Sequence, residues 1–274
     1  MIRVGRPPSS RQRSRCHDSF RQFHINEVLP SYWRVTFDNG PVNLLDPDTV
    51  DQLGALIGRI ENDPDLTVVV FRSDKPGYFM AHWDFLSDAA RVARMPPSPT
   101  GLNPYIDNFV RLSRLPTATV SEISGRARGA GSELVLATDI RFASEKAILG
   151  QPEVGIGAVP GGGPMARLGR LAGRGRALEI LLGGDDIPAA LAAEYGYVNR
   201  VIPDAEIEEF TDAFGRGHAA GLPSWTGVPV AQICAVAGDL RNSGGFLVES
   251  LSAGPVPADV ITTASWRSRP VVAG

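Results

Sequence analysis

Two glutamates stand where a sequence reader would look first for chemistry. Glu133 follows the run Ser124-Gly125-Arg126-Ala127-Arg128-Gly129-Ala130-Gly131-Ser132, a small-residue turn that runs into a helix. Free backbone N–H groups at such a helix start face whatever lies in front of them, an oxyanion or a phosphate alike. No Gly-Lys-Ser/Thr follows, and no Gly-x-Gly-x-x-Gly follows a strand, so neither nucleotide fingerprint is present. An acid in a first helical turn is favoured by the helix dipole alone. The apolar neighbours Leu134, Val135 and Leu136 make this acid costlier to place and therefore more informative. Glu153 lies in Gly150-Gln151-Pro152-Glu153-Val154-Gly155-Ile156-Gly157, with Pro160-Gly161-Gly162-Gly163 just beyond. Glycine at that density permits close backbone approach. Two carboxylates on two such loops suggest a general acid/base pair around an amide-lined pocket.

The elements that must hold these loops read as an alternation of strands and helices, which defines an α/β class. Residues 32–37 alternate and are β-rich, so order is expected to begin near Tyr32. Asn39-Gly40-Pro41 is a turn, and Asp46-Pro47 opens a helix with Asp46 as N-cap. Val50, Leu53, Leu56, Ile57 and Ile60 form its apolar stripe. Residues 67–71, 119–123, 140–143, 147–149 and 198–202 read as strands. Residues 104–114, 132–137, 165–171, 174–182, 189–195 and 203–214 read as helices, with Gly173 and Gly183 as stops.

The chain has 274 residues and a net charge of −3, so no basic nucleic-acid footprint is expected. No apolar run approaches the roughly 18 residues of a membrane span. Cys16 and Cys234 are the two cysteines and form no ligand pair, so no metal site is expected and a reducing cytoplasm fits. Charge is uneven along the chain. Residues 1–30 are arginine-rich and read as a disordered tail, 31–216 as the folded core, and 217–274 as a charge-poor segment with no clear amphipathic helix.

These stretches resemble the enoyl-CoA hydratase/isomerase family, the crotonase superfamily. The matching residues are Gly125, Gly129-Ala130-Gly131-Ser132-Glu133-Leu134, Thr138-Asp139-Ile140-Arg141-Phe142-Ala143, and Gly150-Gln151-Pro152-Glu153 with Gly157, Pro160-Gly161 and Arg167-Leu168. Ala81-His82-Trp83-Asp84 falls at the family's first oxyanion loop. Asn39-Gly40-Pro41-Val42-Asn43 falls at its coenzyme A-side loop. The resemblance implies a crotonase-like spiral of β-β-α turns, assembled as a homotrimer or a dimer of trimers. It implies an acyl-CoA substrate, with coenzyme A part of the substrate and no separate cofactor. The backbone N–H groups of Trp83 and Ala130 would hold the thioester oxygen. Glu133 would activate water and Glu153 would protonate the α-carbon, with Gly161 N–H orienting Glu153. Asp84 would cap the next helix. Val42, Asn43, Ala81 and Lys75 would lie on the coenzyme A side, with Arg72 a further phosphate candidate.

The reaction so implied is hydration of a trans-2-enoyl-CoA to a 3-hydroxyacyl-CoA, a lyase step of fatty acid metabolism. The alternatives are another crotonase-type isomerase, C–C lyase or acyl hydrolase, and a non-catalytic acyl-CoA-binding protein. Three departures from the pattern keep them open. His82 replaces a glycine, so a left-handed backbone would be strained there. Trp83 places an indole where a methyl group is usual. Residues 217–274 do not read as the family's helical end.

Overall fold

The computed structural model describes residues 20–98 and 100–219. Its first strand, β1 (Phe23–Leu29), pairs antiparallel with β2 (Tyr32–Phe37). Helix α1 (Pro47–Glu61) starts as the sequence predicts. Thr49 N–H donates to the Asp46 carboxylate at 2.8 Å, and Pro47 occupies the first turn, where its missing N–H costs nothing. All five residues of the anticipated stripe are buried. The chain continues through β3 (Val68–Ser73), β4 (Tyr78–Met80), α2 (Ala89–Arg94), α3 (Pro104–Leu112), β5 (Ala118–Ile123), β6 (Arg126–Arg128) and α4 (Ala130–Ala137). It then forms β7 (Ile140–Ser144), β8 (Ile148–Gly150), a 3-10 turn (Pro152–Ile156), α5 (Pro164–Leu171) and α6 (Arg174–Gly183). The last elements are β9 (Ile187–Pro188), α7 (Ala189–Glu194), β10 (Arg200–Ile202) and α8 (Ile207–Ala219).

Strands leave in pairs for two different sheets. One member of each pair, β3, β5 or β7, joins a six-stranded sheet of order β1-β2-β3-β5-β7-β10. The other, β4, β6 or β8, joins a four-stranded sheet of order β4-β6-β8-β9. From β2 onward the large sheet is parallel, and a helix follows each turn of the spiral. β3 and β5 are buried along nearly their whole length, as expected of parallel strands covered on both faces. Phe71, Phe79, Ile123, Leu134, Leu149 and Leu168 belong to the main core between the layers.

The far face of the large sheet is covered by α8, whose Phe210 and Phe214 pack edge-on against Phe142. Beneath α8 lies a buried carboxylate, Glu122. Arg34 meets it at 2.9 Å and Arg72 at 3.2 Å, and the Thr211 hydroxyl donates to it from α8. A charge this deep persists only because it is paired and hydrogen-bonded.

Several sequence expectations need correction. Order begins at least nine residues before Tyr32, because β1 pairs along its length with β2. The final helix runs on to Ala219 rather than ending near Phe214. Glu153 lies in a 3-10 turn, not an open loop. The expectations for residues 1–19 and 220–274 lie outside the described residues.

Candidate active site

Glycines at special places join α4 to the sheets. Gly129 precedes the helix at φ +50°, and a Cβ there would stand 2.8 Å from Glu153 Oε1. A Cβ on Gly131 would overlap the Met80 carbonyl of β4, so only glycine lets the helix start sit against that strand. Gly129 N–H is bonded to the Gly150 carbonyl at 3.0 Å. Ala130, at the first helical position, has no capping side chain above it. Its N–H has no partner among the described residues.

The same holds for Trp83, for a different reason. Leu45 N–H donates to the His82 carbonyl at 2.9 Å, and Asp84 N–H donates to the Leu45 carbonyl at 2.7 Å. This isolated parallel bridge turns the amide of Trp83 itself away from Leu45, leaving it unpartnered. Trp83 and Ala130, each with an N–H that has no partner among the described residues, both line a cavity of about 560 Å³. Glu133 and Glu153 line the same cavity. Most of its wall is apolar, with Val92, Tyr105, Ile106 and Ile156 contributing.

The two carboxylates live in different surroundings. Glu133 is 1% exposed. Gly162 N–H donates to its Oε1 at 2.8 Å, and the Tyr105 hydroxyl donates to its Oε2. Burial pushes its pKa above the ordinary carboxylate range, while Tyr105, the Gly162 amide and the Arg167 charge pull it back. Glu153 Oε2 is buried with no hydrogen-bond partner among the described residues. Its pKa is raised, first by burial and then by the charge of Glu133, against the pull of its own N–H and of Arg128.

A buried hydroxyl network fixes the two loops relative to each other. Gln151 Nε2 donates to Ser132 Oγ at 2.9 Å, and Ser132 Oγ bonds the Tyr197 hydroxyl. Burial pushes the Tyr197 phenol up to about 12, so it stays protonated. Ser132 precedes Glu133 and Gln151 lies two residues before Glu153, so this network ties both acids to one scaffold.

The structure redistributes several expected roles. The Gly161 and Gly162 amides face Glu133, not Glu153, because α5 packs its N-terminal loop against α4. Asp84 does not cap α2. Its carboxylate accepts from Leu86 N–H at 2.9 Å, closing a turn, and Asp88 is the cap. His82 does not take up the strained backbone: among the described residues Asn43, at φ +53°, is the one non-glycine with positive φ. The His82 ring bonds the Trp83 carbonyl through Nδ1 at 2.7 Å. A carbonyl can only accept, so Nδ1 carries the proton and Nε2 is left as an acceptor.

Asn43 is fully buried and spends its side chain on the Phe37 and Phe79 carbonyls and on Ser73. Ala81 N–H donates to the Asn43 carbonyl at 3.0 Å, so these two residues shape the first loop from within. Val42 is half-buried beside them. Lys75 meets Asp38 at 2.6 Å. Arg72 is drawn into the Glu122 cluster under α8 and away from any phosphate. Tyr105 went unnoticed in the sequence, where one aromatic at the start of an amphipathic helix carries no signal beyond core packing.

The enoyl-CoA hydratase/isomerase family pattern matches residues 31–216. The chain belongs to that family. A candidate enoyl-CoA hydratase from Streptomyces avermitilis is 37% identical, with 89% of this chain and 82% of that one aligned at a TM-score of 0.72. An enoyl-CoA hydratase from Geobacillus kaustophilus is 27% identical over 81% of this chain and 82% of its own, at a TM-score of 0.70. One from Bacillus anthracis is 26% identical over 81% and 83%, at 0.68.

Proposed function

We propose that this protein adds water across the double bond of a trans-2-enoyl-CoA, giving a 3-hydroxyacyl-CoA. The observation that carries the reading is the meeting of two unpartnered amides and two carboxylates in one largely apolar cavity. The amides of Trp83 and Ala130 receive the thioester oxygen as negative charge builds on it. Each such donor is worth about 3–4 kcal/mol of transition-state stabilisation.

The contrast between the carboxylates supports a division of labour. Two donors hold the Glu133 anion, which suits a base. No donor holds Glu153 Oε2, which suits an acid that keeps its proton. Glu133 takes a proton from water as the water oxygen bonds to the β-carbon. Glu153 gives its proton to the α-carbon. A proton passed from Glu133 back to Glu153 restores the starting state.

The proposal extends to the surroundings of the reaction. Coenzyme A enters and leaves as part of the substrate, passing Val42 and Lys75, and no separate cofactor is required. His82 Nε2 serves as a polar group at the cavity wall. The protein works in fatty acid metabolism in the cytoplasm, as a homotrimer or a dimer of trimers. The likeness to the family supports these points.

The test is incubation of the full-length protein with short- and medium-chain trans-2-enoyl-CoAs, with products identified by mass. Gain of one water supports the proposal. A shifted double bond, cleaved acyl chain or free coenzyme A would replace it with another reaction. Tight binding without turnover of any thioester would replace it with a carrier role.

A further inference from the structure

Tyr105 sits outside every motif by which the family was recognised, yet it touches one of the two acids. Its place is set by its own helix. Asn103 accepts from Tyr105 N–H at 3.0 Å, and Pro104 fixes the first turn of α3. The ring is then held edge-on by Trp83 at 5.6 Å and by Phe109 at 5.0 Å between centroids. With two faces of contact the ring has one orientation, and its hydroxyl ends on Glu133 Oε2.

The other oxygen of that carboxylate is held independently. Gly162 N–H reaches Oε1 at 2.8 Å, and the Gly162 carbonyl is bonded by Arg167 at 2.5 Å. Arg167 also bonds the Phe109 carbonyl of α3 at 3.0 Å, so both anchors are tied to the same helix. A carboxylate offers about four acceptor sites, so these two donors and the Gly161 amide still leave room for a water.

We propose that Tyr105 is a positioning residue: its hydroxyl fixes the plane of the Glu133 carboxylate and holds that carboxylate ionised for catalysis. The inference rests on the hydratase reading for its kinetic consequence, but not for its structural one. Burial keeps the Tyr105 phenol well above its ordinary pKa, so it remains a donor throughout the working range. The other groups facing Glu133 are Arg167 from α5, the Gly161 and Gly162 amides before it, and Glu153 from the 3-10 turn. Tyr197, whose phenol also feels the Glu133 charge, is held protonated by its burial. Tyr105 reaches Glu133 directly, through its side-chain hydroxyl.

A donor to the ionised form lowers a carboxyl pKa, so its removal raises it. Tyr105→Phe keeps the ring and deletes the donor. The Glu133 carboxyl is expected to titrate about one pH unit higher, a tenfold change in its proton affinity. The acidic limb of kcat/KM moves up with it, and kcat falls by about ten- to a hundredfold. KM for the enoyl-CoA stays within about threefold.

Replacing Tyr105 by a ring-fluorinated tyrosine strengthens the donor and moves the same titration the other way. A ring that merely fills space gives neither shift. The titration is read by carboxyl carbon-13 NMR of the full-length protein and needs no turnover. Coincident Glu133 titrations in all three proteins overturn the inference, whatever the reaction proves to be. An inactive wild type with shifted titrations overturns only the hydratase reading.

Discussion

Replacing Ala130 by proline exchanges one N–H of the site for a ring carbon at almost no cost to the fold. Ala130 is the first residue of α4, and its N–H bonds nothing in the described structure. Proline is well accommodated at that position of a helix, since the missing N–H has no helical partner. The residue before a proline is normally restricted, but here it is Gly129 at φ +50°, ψ −122°, a conformation open to glycine. A ring carbon takes the place of the hydrogen. Stability to urea is therefore expected to change by less than about 1 kcal/mol. The transition state, in contrast, loses one of two donors to the thioester oxygen. That loss is about 2.7–4 kcal/mol, or about a hundred- to a thousandfold in kcat. Ala130→Gly, which keeps the N–H, is the control and should stay near the wild-type rate. The assay pairs steady-state kcat on an enoyl-CoA with urea unfolding of the same preparations. A folded Ala130→Pro protein with kcat within about threefold of wild type would refute the assignment of this amide.

Three further outcomes follow from the geometry. Glu153→Gln should abolish hydration while leaving acyl-CoA binding, and it should also stabilise the fold at neutral pH. The sign follows from the raised pKa of Glu153: between the ordinary glutamate range and that raised value the folded state holds a proton the unfolded state has lost, so stability falls as pH rises. Thermal unfolding should show the variant's advantage at pH 7 and its disappearance below about pH 4. Gly131→Ala should cost several kcal/mol or prevent folding, because its methyl overlaps the Met80 carbonyl; circular dichroism and urea titration measure it. Arg34→Met should destabilise by about 3 kcal/mol in urea, because it strands part of the buried Glu122 charge under α8.

Much of the site was legible because its chemistry is written locally. Gly129, Gly131 and the glycines around Glu153 are needed where backbones come within reach of each other, and such needs show in a single sequence. Helix α1 was legible from its cap and apolar spacing. The short strands β4 and β6 were not, since three residues give no periodicity. β1 was hidden by its charged and polar residues: it is an antiparallel strand at the edge of the large sheet, with several side chains exposed. Asp84 and Asp88 both precede the short segment that becomes α2, and only the turn at Asp84 decides between them. Which glutamate the Gly161–Gly162 amides reach depends on how α5 docks on α4. The Tyr105–Glu133 contact joins residues 28 positions apart and depends on helix packing. The family resemblance supplied the oxyanion amides; the structure adds that both are unbonded and line one cavity.

The central claim is a concerted use of water, a base and an acid on an enoyl thioester. Turnover of a trans-2-enoyl-CoA by the wild-type protein in deuterium oxide, read by proton NMR of the product, tests it most directly. The account predicts a 3-hydroxyacyl-CoA with a solvent-derived hydroxyl at the β-carbon and one deuteron at the α-carbon. Recovery of the enoyl-CoA unchanged, or a product deuterated without added water, would contradict it.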